Sequence, residues 1–441
     1  MSWSLRLFLG FWSMLWTVGL PLILLYLWRR GRRDAAYTAR LRERFGRYPR
    51  AMPDAVWVHA VSLGEMRSAV PLVRALLAQG ERVVTTHFTP AGRAEAERSF
   101  ADDIAAGRLQ SVWVPLETAW AYAGFLRAFR PVYGLVMEIE IWPRMVFAAR
   151  AADVPLFMCN AQYPHDSLER DSRGLRLRQK VMAGFAGALV KSELQASRFA
   201  SVGVRNIAVT GELRFDQPVP RAQVAAGLAA REWIGASDRR VICIASAIEG
   251  EDSTYLHAIE ALRRHHAASS AEPPLFVYVP RRPERFDEVH DFLHAAGLTI
   301  LRRSSLGPAL SPEAWDRAPK TPDILLGDSL GEMFFYLSMS DEVVVGGGFD
   351  PKGAHNISEA LLLGRPVVTG PHVHTIEYPF VEAEAADVAH SVPDAASLAR
   401  HLIAAPRAEP AAIAAFVAAH SDATQKTLAA IPRLLARIRP S

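Results

Sequence analysis

Val343–Pro371, VVVGGGFDPKGAHNISEALLLGRPVVTGP, is the stretch whose reading decides the fold. The β-branched run Val343–Val345 stops at Gly346, Gly347 and Gly348, and a helical pattern begins near His355. A second apolar run, PVVTGP from Pro366, follows soon after, so the unit reads as a compact βαβ with parallel strands. A strand, a glycine turn and a helix N-terminus form an arrangement that binds phosphate. Glycine lets the backbone approach an anion, the helix dipole is positive at that end, and Lys352 adds a full charge. Glu359, about one turn into the helix, can accept hydrogen bonds from the hydroxyls of a ribose. The same glycines also suit a purely structural βα turn, and the residues leave both readings open.

The pattern repeats outward in both directions. Apolar runs at Val56, Arg82, Ser111, Val132, Val154, Ala188 and Asn206 read as strands separated by helices. A polar, proline-containing and alanine-rich stretch follows, and the alternation restarts at Val241, Leu275, Leu298, Asp323, Glu342, Pro366 and Asp387. Near-continuous apolar strands alternating with helices imply parallel sheets covered on both faces. The expected fold class is α/β, with two doubly wound Rossmann-like domains facing across a cleft. The expected boundaries are 1–33 for a membrane anchor, 34–216 for the first domain, 217–240 for a linker and 241–441 for the second domain with terminal helices; these helices, from Ala395 to Arg437 with breaks at Pro406, Pro410 and Pro432, either stay with that domain or cross back to the first.

At 441 residues and 50% hydrophobic, the chain can bury two large cores, and disorder is not indicated. A net charge of +4 without long single-sign runs beyond the first fifty residues gives no sign of nucleic-acid binding. From Leu7 to Trp28 run 22 residues without a charge, followed by Arg29, Arg30, Arg32 and Arg33. That length suits one bilayer-spanning helix, and the arginines keep the following domains cytoplasmic. Further basic residues, Arg40, Arg42, Arg44, Arg47 and Arg50, would either lie near an anionic leaflet or form a solvated helix face. Cys159 and Cys243 both sit in apolar runs, which leaves no basis for a disulfide framework or a cysteine metal site.

Among the polar residues, Glu65 follows Gly64 in the loop between the first strand and first helix. It reads either as a general base or as a carboxylate favouring the helix dipole. Glu138 and Glu140, at alternate positions at a strand end, would point the same way, as acceptor-side groups or helix caps. His59 reads as a packed strand-end histidine.

The motifs WVHAVSLGE (57–65), MEIEIWP (137–143), TGELRFD (210–216), SAIEGED (246–252), PRRPERF (280–286), GDSLGEM (327–333) and GGGFDPKGAHN (346–356) occur in this order. Together they resemble the 3-deoxy-D-manno-octulosonic acid (Kdo) transferases, membrane-anchored glycosyltransferases of the GT-B architecture. The resemblance implies an inverting, metal-independent transfer of Kdo from CMP-Kdo, without a cofactor. The acceptor it implies is a lipid A precursor at the cytoplasmic face of the inner membrane. It also favours Glu65 as the base. Ser246, Glu249, Gly250, Arg281, Arg282, Gly346, Gly347, Gly348, Lys352, His355, Asn356 and Glu359 are then the donor-nucleotide residues. The chain departs from the usual family pattern at Ile139, Arg144, Glu212, Arg214, Ile248, Arg282, Ala354 and the segment ISEA (Ile357–Ala360). These departures leave open a paralogous GT-B transferase using another nucleotide sugar or another membrane-linked acceptor.

Overall fold

The computed structural model describes residues 3–269, 271–306, 321–404 and 408–438. The chain forms two compact units, residues 1–217 with 421–441, and residues 218–420.

In the first unit the strands are β1 (Val56–His59), β2 (Val83–His87), β3 (Leu109–Trp113), β4 (Tyr133–Met137), β5 (Leu156–Ala161), β6 (Gly187–Val190) and β7 (Ile207–Val209). They pair in parallel in the order β3-β2-β1-β4-β5-β6-β7. The order reverses between β1 and β4, so the loops leaving those two strands flank the switch point at which open α/β sheets bind ligands. Both sheet faces are covered, as the continuous apolar strands require. Trp57, Val84 and Val136 point into one core and Val56, Val58 and Leu135 into the other. The helix Leu63–Ala78 covers the second face with Met66, Ala69, Leu72, Val73 and Leu76, a stripe at helical spacing.

The second unit contains β8 (Val241–Ala247), β9 (Leu275–Pro280), β10 (Ile300–Arg302), β11 (Ile324–Leu326), β12 (Glu342–Val345), β13 (Val367–Thr369) and β14 (Ala389–Ser391). Its parallel order is β10-β11-β9-β8-β12-β13-β14, which puts the switch point between β8 and β12. Cys159 in β5 and Cys243 in β8 are buried free thiols.

Three expectations need correction. The stretch 217–240 is not a linker: its helix Arg221–Trp233 belongs to the second unit, where Arg231 chelates Asp341 at 2.7 and 2.9 Å. The last helix, Ala423–Ile438, does not belong to the second domain. It returns to the first unit and buries Ala430, Ile431 and Leu434 against Val56, Leu72 and Leu135. Its apolar stripe fills that sheet face, while Asp216 caps its start through Ala423 and Thr424. The break read at Pro406 lies outside the described residues. Ile431→Ala is accordingly expected to destabilise the first unit by about 2–4 kcal/mol, through lost burial and the cavity left behind. Denaturant unfolding followed by tryptophan fluorescence checks this, because eight of the ten tryptophans lie in that unit.

The third correction concerns the N-terminus, where the expected continuous span is two helices, Trp3–Val18 and Leu20–Gly31. Among the described residues no single helix is long and apolar enough to cross a membrane; the pair passes by length and composition only together, bent by 52°. Pro21 lacks an N–H to continue the ladder, so the helix breaks at Gly19. The first helix also packs on the unit: Leu9 is buried, Trp12 donates to Glu117 (2.9 Å), and Arg144 donates to the Leu9 carbonyl (2.9 Å) and to Ser13. Arg44, read above as basic surface, is fully buried with its guanidinium 4.2 Å from the Trp113 ring. Burial first, and then the neighbouring Arg93 charge, lower its pKa to about 10. Arg42, Arg47 and Arg50 remain exposed.

Candidate active site

Both switch points carry residues singled out in the sequence. In the first unit the loop after β1 ends at Ser62, which caps the helix Leu63–Ala78. Ser62 Oγ accepts from the Glu65 N–H at 3.4 Å and donates to Glu65 Oε1 at 2.8 Å, while the Val61 N–H donates to Glu65 Oε2 at 2.7 Å. This is a reciprocal capping box, which holds the carboxylate in one place. Glu65 therefore serves the helix end as well as offering a carboxylate. Burial, together with the charges of Glu140 and Glu138, raises its pKa to about 7 against the hydrogen bonds from Val61 and Ser62. A carboxylate with that affinity takes up and releases a proton near neutrality, as a general base must.

Glu138 and Glu140 come from the turn after β4. The expected strand alternation does not hold, because β4 ends at Met137 and Glu138 turns the backbone to φ +56°. Glu138 accordingly bonds to Asn160 Nδ2 (2.8 Å) and Lys191 Nζ (3.0 Å), whereas Glu140 accepts from Trp142 Nε1 (2.7 Å). The structure thus brings Glu65, Glu138 and Glu140 into electrostatic contact but assigns the last two different partners. His59 is fully buried against Thr86 Oγ1 at 2.8 Å, and burial lowers its pKa to about 4, so it is neutral and packed as expected.

Sequence reasoning missed Lys191 and Asn160, and marked Glu212 only as a departure from the family pattern. Lys191 lies 2.9 Å from Glu212, and Asn160 donates to Glu212 at 2.9 Å while accepting from the Leu213 N–H. Burial opposes ionisation of Glu212, but the Lys191 and Arg214 charges and the hydrogen bonds from Asn160 and Lys191 hold its pKa below the usual value. The available signal was a lysine ending an apolar strand, in ALVKS.

In the second unit the loops after β8, β9 and β12 converge. Ser246 (φ +60°) kinks the end of β8 and Gly250 (φ +95°) bends the loop after it, which carries Glu249. The expectation that the glycine turn after β12 offers its N–H groups to a phosphate fails for three of them, the Gly346 N–H being bonded to the Ala245 carbonyl at 2.8 Å. Glu251 accepts from the Gly347 N–H at 2.8 Å and the Phe349 N–H at 2.9 Å, and also from Tyr255 and the Ile248 N–H. A buried carboxylate of this chain already holds that nest. Gly347 has φ +89°, and a Cβ at Gly346 or Gly348 would strike neighbouring backbone at 2.5 Å, so the glycines here serve close packing.

The helix starts later than expected, at Ser358, and runs only to Leu362. Asn356 Oδ1 accepts from the Ser358 N–H at 3.0 Å, and the His355 N–H is turned back to the Gly346 carbonyl. Glu359 still falls in the first turn. His355 and Arg281 lie close enough that burial and the Arg281 charge together lower the imidazole pKa to about 4. The His355 Nε2 is buried with no partner among the described residues. Arg281 and Arg282 are exposed after β9 and form no ion pair among the described residues. The neighbouring Arg285 is instead paired with Asp252. Lys352 is also exposed, 3.9 Å from Asp350. These loops offer two free guanidinium groups and a neutral imidazole to an anionic ligand. No group of three or more His, Cys, Asp or Glu among the described residues is arranged to hold a metal ion. A separate cavity of about 870 Å³ lies at the amino ends of β5 and β6, between Arg150, Pro155, Gly184 and Arg205, and is lined by none of the candidate site residues.

The family described as 3-Deoxy-D-manno-octulosonic-acid transferase (kdotransferase) matches residues 39–217. The chain is 40% identical over 422 residues to the 3-deoxy-D-manno-octulosonic acid transferase of Bordetella pertussis, covering 93% of this chain and 96% of that protein. It is 28% identical over 379 residues to the Haemophilus influenzae protein of the same name, covering 84% and 83%. Among solved structures it is similar in fold to Anabaena Alr3699/HepE in complex with UDP, with a TM-score of 0.57 at 14% identity, covering 87% of this chain and 100% of that one.

Proposed function

The chain belongs to the 3-deoxy-D-manno-octulosonic acid (Kdo) transferase family and is a glycosyltransferase, and from that premise we propose that it moves Kdo from CMP-Kdo to a lipid A precursor. The single observation that carries the proposed mechanism is Glu65, a carboxylate held by a capping box with its pKa raised to about 7.

In the proposed reaction a hydroxyl of the acceptor attacks the anomeric carbon of Kdo as its proton passes to Glu65. The bond from that carbon to the CMP phosphate oxygen breaks, and CMP leaves with the electron pair. Attack opposite the leaving group inverts the anomeric centre. Arg281 and Arg282, which have no carboxylate partners among the described residues, neutralise the phosphate without a metal ion, with Lys352 nearby. His355 and Asn356 contact the donor, Glu359 binds the ribose, and Ser246, Glu249 and Gly250 line the loop beside it.

We further propose that the chain works at the cytoplasmic face of the inner membrane, attached through residues 3–31. Leu7, Phe11, Met14, Leu15 and Leu22 are exposed there, next to Arg29, Arg30, Arg32 and Arg33. A single crossing by the bent pair would require the contacts of Trp12 with Glu117 and of Ser13 with Arg144 to be released. A second reading, another nucleotide sugar as donor, is favoured by Ile248, Arg282 and Ala354, which stand in the donor loops.

Incubation with CMP-Kdo and a tetra-acylated, bisphosphorylated lipid A precursor, followed by mass, tests the proposal. Expected is a mass gain of one or more Kdo units that vanishes in Glu65→Ala. An unchanged lipid with a chain that still binds CMP would refute this donor and acceptor pair.

A further inference from the structure

Lys191 directly follows β6, with its ammonium 3.0 Å from Glu138, 2.9 Å from Glu212 and 3.3 Å from Gln162 Oε1. All three of its N–H donors thus have acceptors. The Lys191 and Glu212 side chains are 2% and 1% exposed, while Glu138 is 19% exposed and its charge acts on Glu65. Burying an ion triad is costly and gives little net stability over an apolar filling of the same volume, which points to a role other than stability. The charged groups around Glu65 are Glu138 and Glu140 from the turn after β4, with Lys191 behind Glu138. Glu212 and Arg214 come from the segment after β7, where Arg214 also donates to Ser68 on the Glu65 helix at 3.2 Å. Lys191 is the buried cation in this group.

We propose that Lys191 is a positioning residue for the transfer: by pairing with Glu138 and Glu212 it fixes Glu138 and damps the negative field at Glu65, leaving Glu65 free to take the acceptor proton near neutral pH. This rests on the reading of Glu65 as the base. Without the ammonium, the buried Glu212 and the partly exposed Glu138 face each other with no cation between them, and the stronger negative field holds the proton on Glu65 to higher pH.

The test is the pH profile of kcat/KM for the full chain, measured between about pH 5.5 and 9.5 with CMP-Kdo and the lipid A precursor. Lys191→Met is expected to move the midpoint of the acid limb up by about half a unit or more, and Lys191→Arg to return it. Glu212→Gln removes a negative charge and is expected to move the midpoint down. Rates that fall equally at every pH in Lys191→Met would mean a structural role and overturn the proposal. If Lys191→Met does not fold, Glu212→Gln decides alone, and an unmoved midpoint there is equally fatal. Carbon-13 NMR of glutamate-labelled chain, with the Glu65 carboxyl assigned from Glu65→Gln, reads the same midpoint without turnover. A signal that shifts as expected while Glu65→Gln remains active would uphold the coupling and sink the base reading. A dead Glu65→Gln with unmoved midpoints would do the reverse.

Discussion

Glu65→Gln is expected to lower kcat by about 100- to 10,000-fold, the usual worth of a general base, with little change in the fold. Glutamine keeps the capping box, since its amide oxygen can still accept from the Val61 N–H and its NH₂ can meet Ser62, but it cannot take a proton. The loss therefore isolates the chemistry from the helix-end role of the same side chain. The wild-type rate should rise with pH through a limb near 7, because burial and the Glu140 and Glu138 charges hold Glu65 protonated below that. Stability runs the other way. The folded carboxyl binds its proton more tightly than the unfolded one, so this residue costs stability progressively as pH rises from its ordinary value through about 7. Above that range Glu65→Gln should unfold no earlier than the wild type, and a thermal melt at two pH values checks it. A variant that loses stability but keeps its rate would show that Glu65 is a cap and nothing more.

Glu251→Ala is expected to destabilise the second unit by about 3 kcal/mol or more, and to abolish donor binding at substrate levels that saturate the wild type. Glu251 is 1% exposed and its two oxygens hold the Gly347, Phe349 and Ile248 N–H groups and the Tyr255 hydroxyl. Truncation leaves these donors buried and unpaired, and each costs about 1–3 kcal/mol when it cannot reach water. Glu251→Gln retains one acceptor oxygen and should fall between the two. Urea unfolding together with CMP binding by calorimetry separates the outcomes. If Glu251→Ala folds normally and binds CMP more tightly, the carboxylate is instead a plug that a nucleotide phosphate displaces from the glycine turn.

The two expectations differ in how they could be found. The place of Glu65 at the start of a helix was readable from local marks, a glycine just before it and an apolar helix stripe after it. Glu251 leaves no such mark, since its partners at Gly347 and Phe349 lie 96 and 98 residues further along the chain. The glycine turn itself was located correctly from its composition, yet what fills it could not be read, because glycine reports a close approach without naming what approaches.

Local periodicity was sufficient for the parallel strands, the βαβ unit after Val343 and the two-unit α/β organisation, because a strand buried on both faces must be apolar along its whole length. The ordered motifs that carry the family were likewise legible, and the resemblance they bear, rather than periodicity, is what favoured Glu65 as the base. Tertiary structure alone decided that Ala423–Ile438 closes the first unit, that Arg44 stacks inside on Trp113, and that Lys191 lies between Glu138 and Glu212. An amphipathic helix shows in sequence that it must be covered, but not by which sheet. A lone charge in an apolar run shows that it needs a partner, and only the packed chain supplies the partner's position.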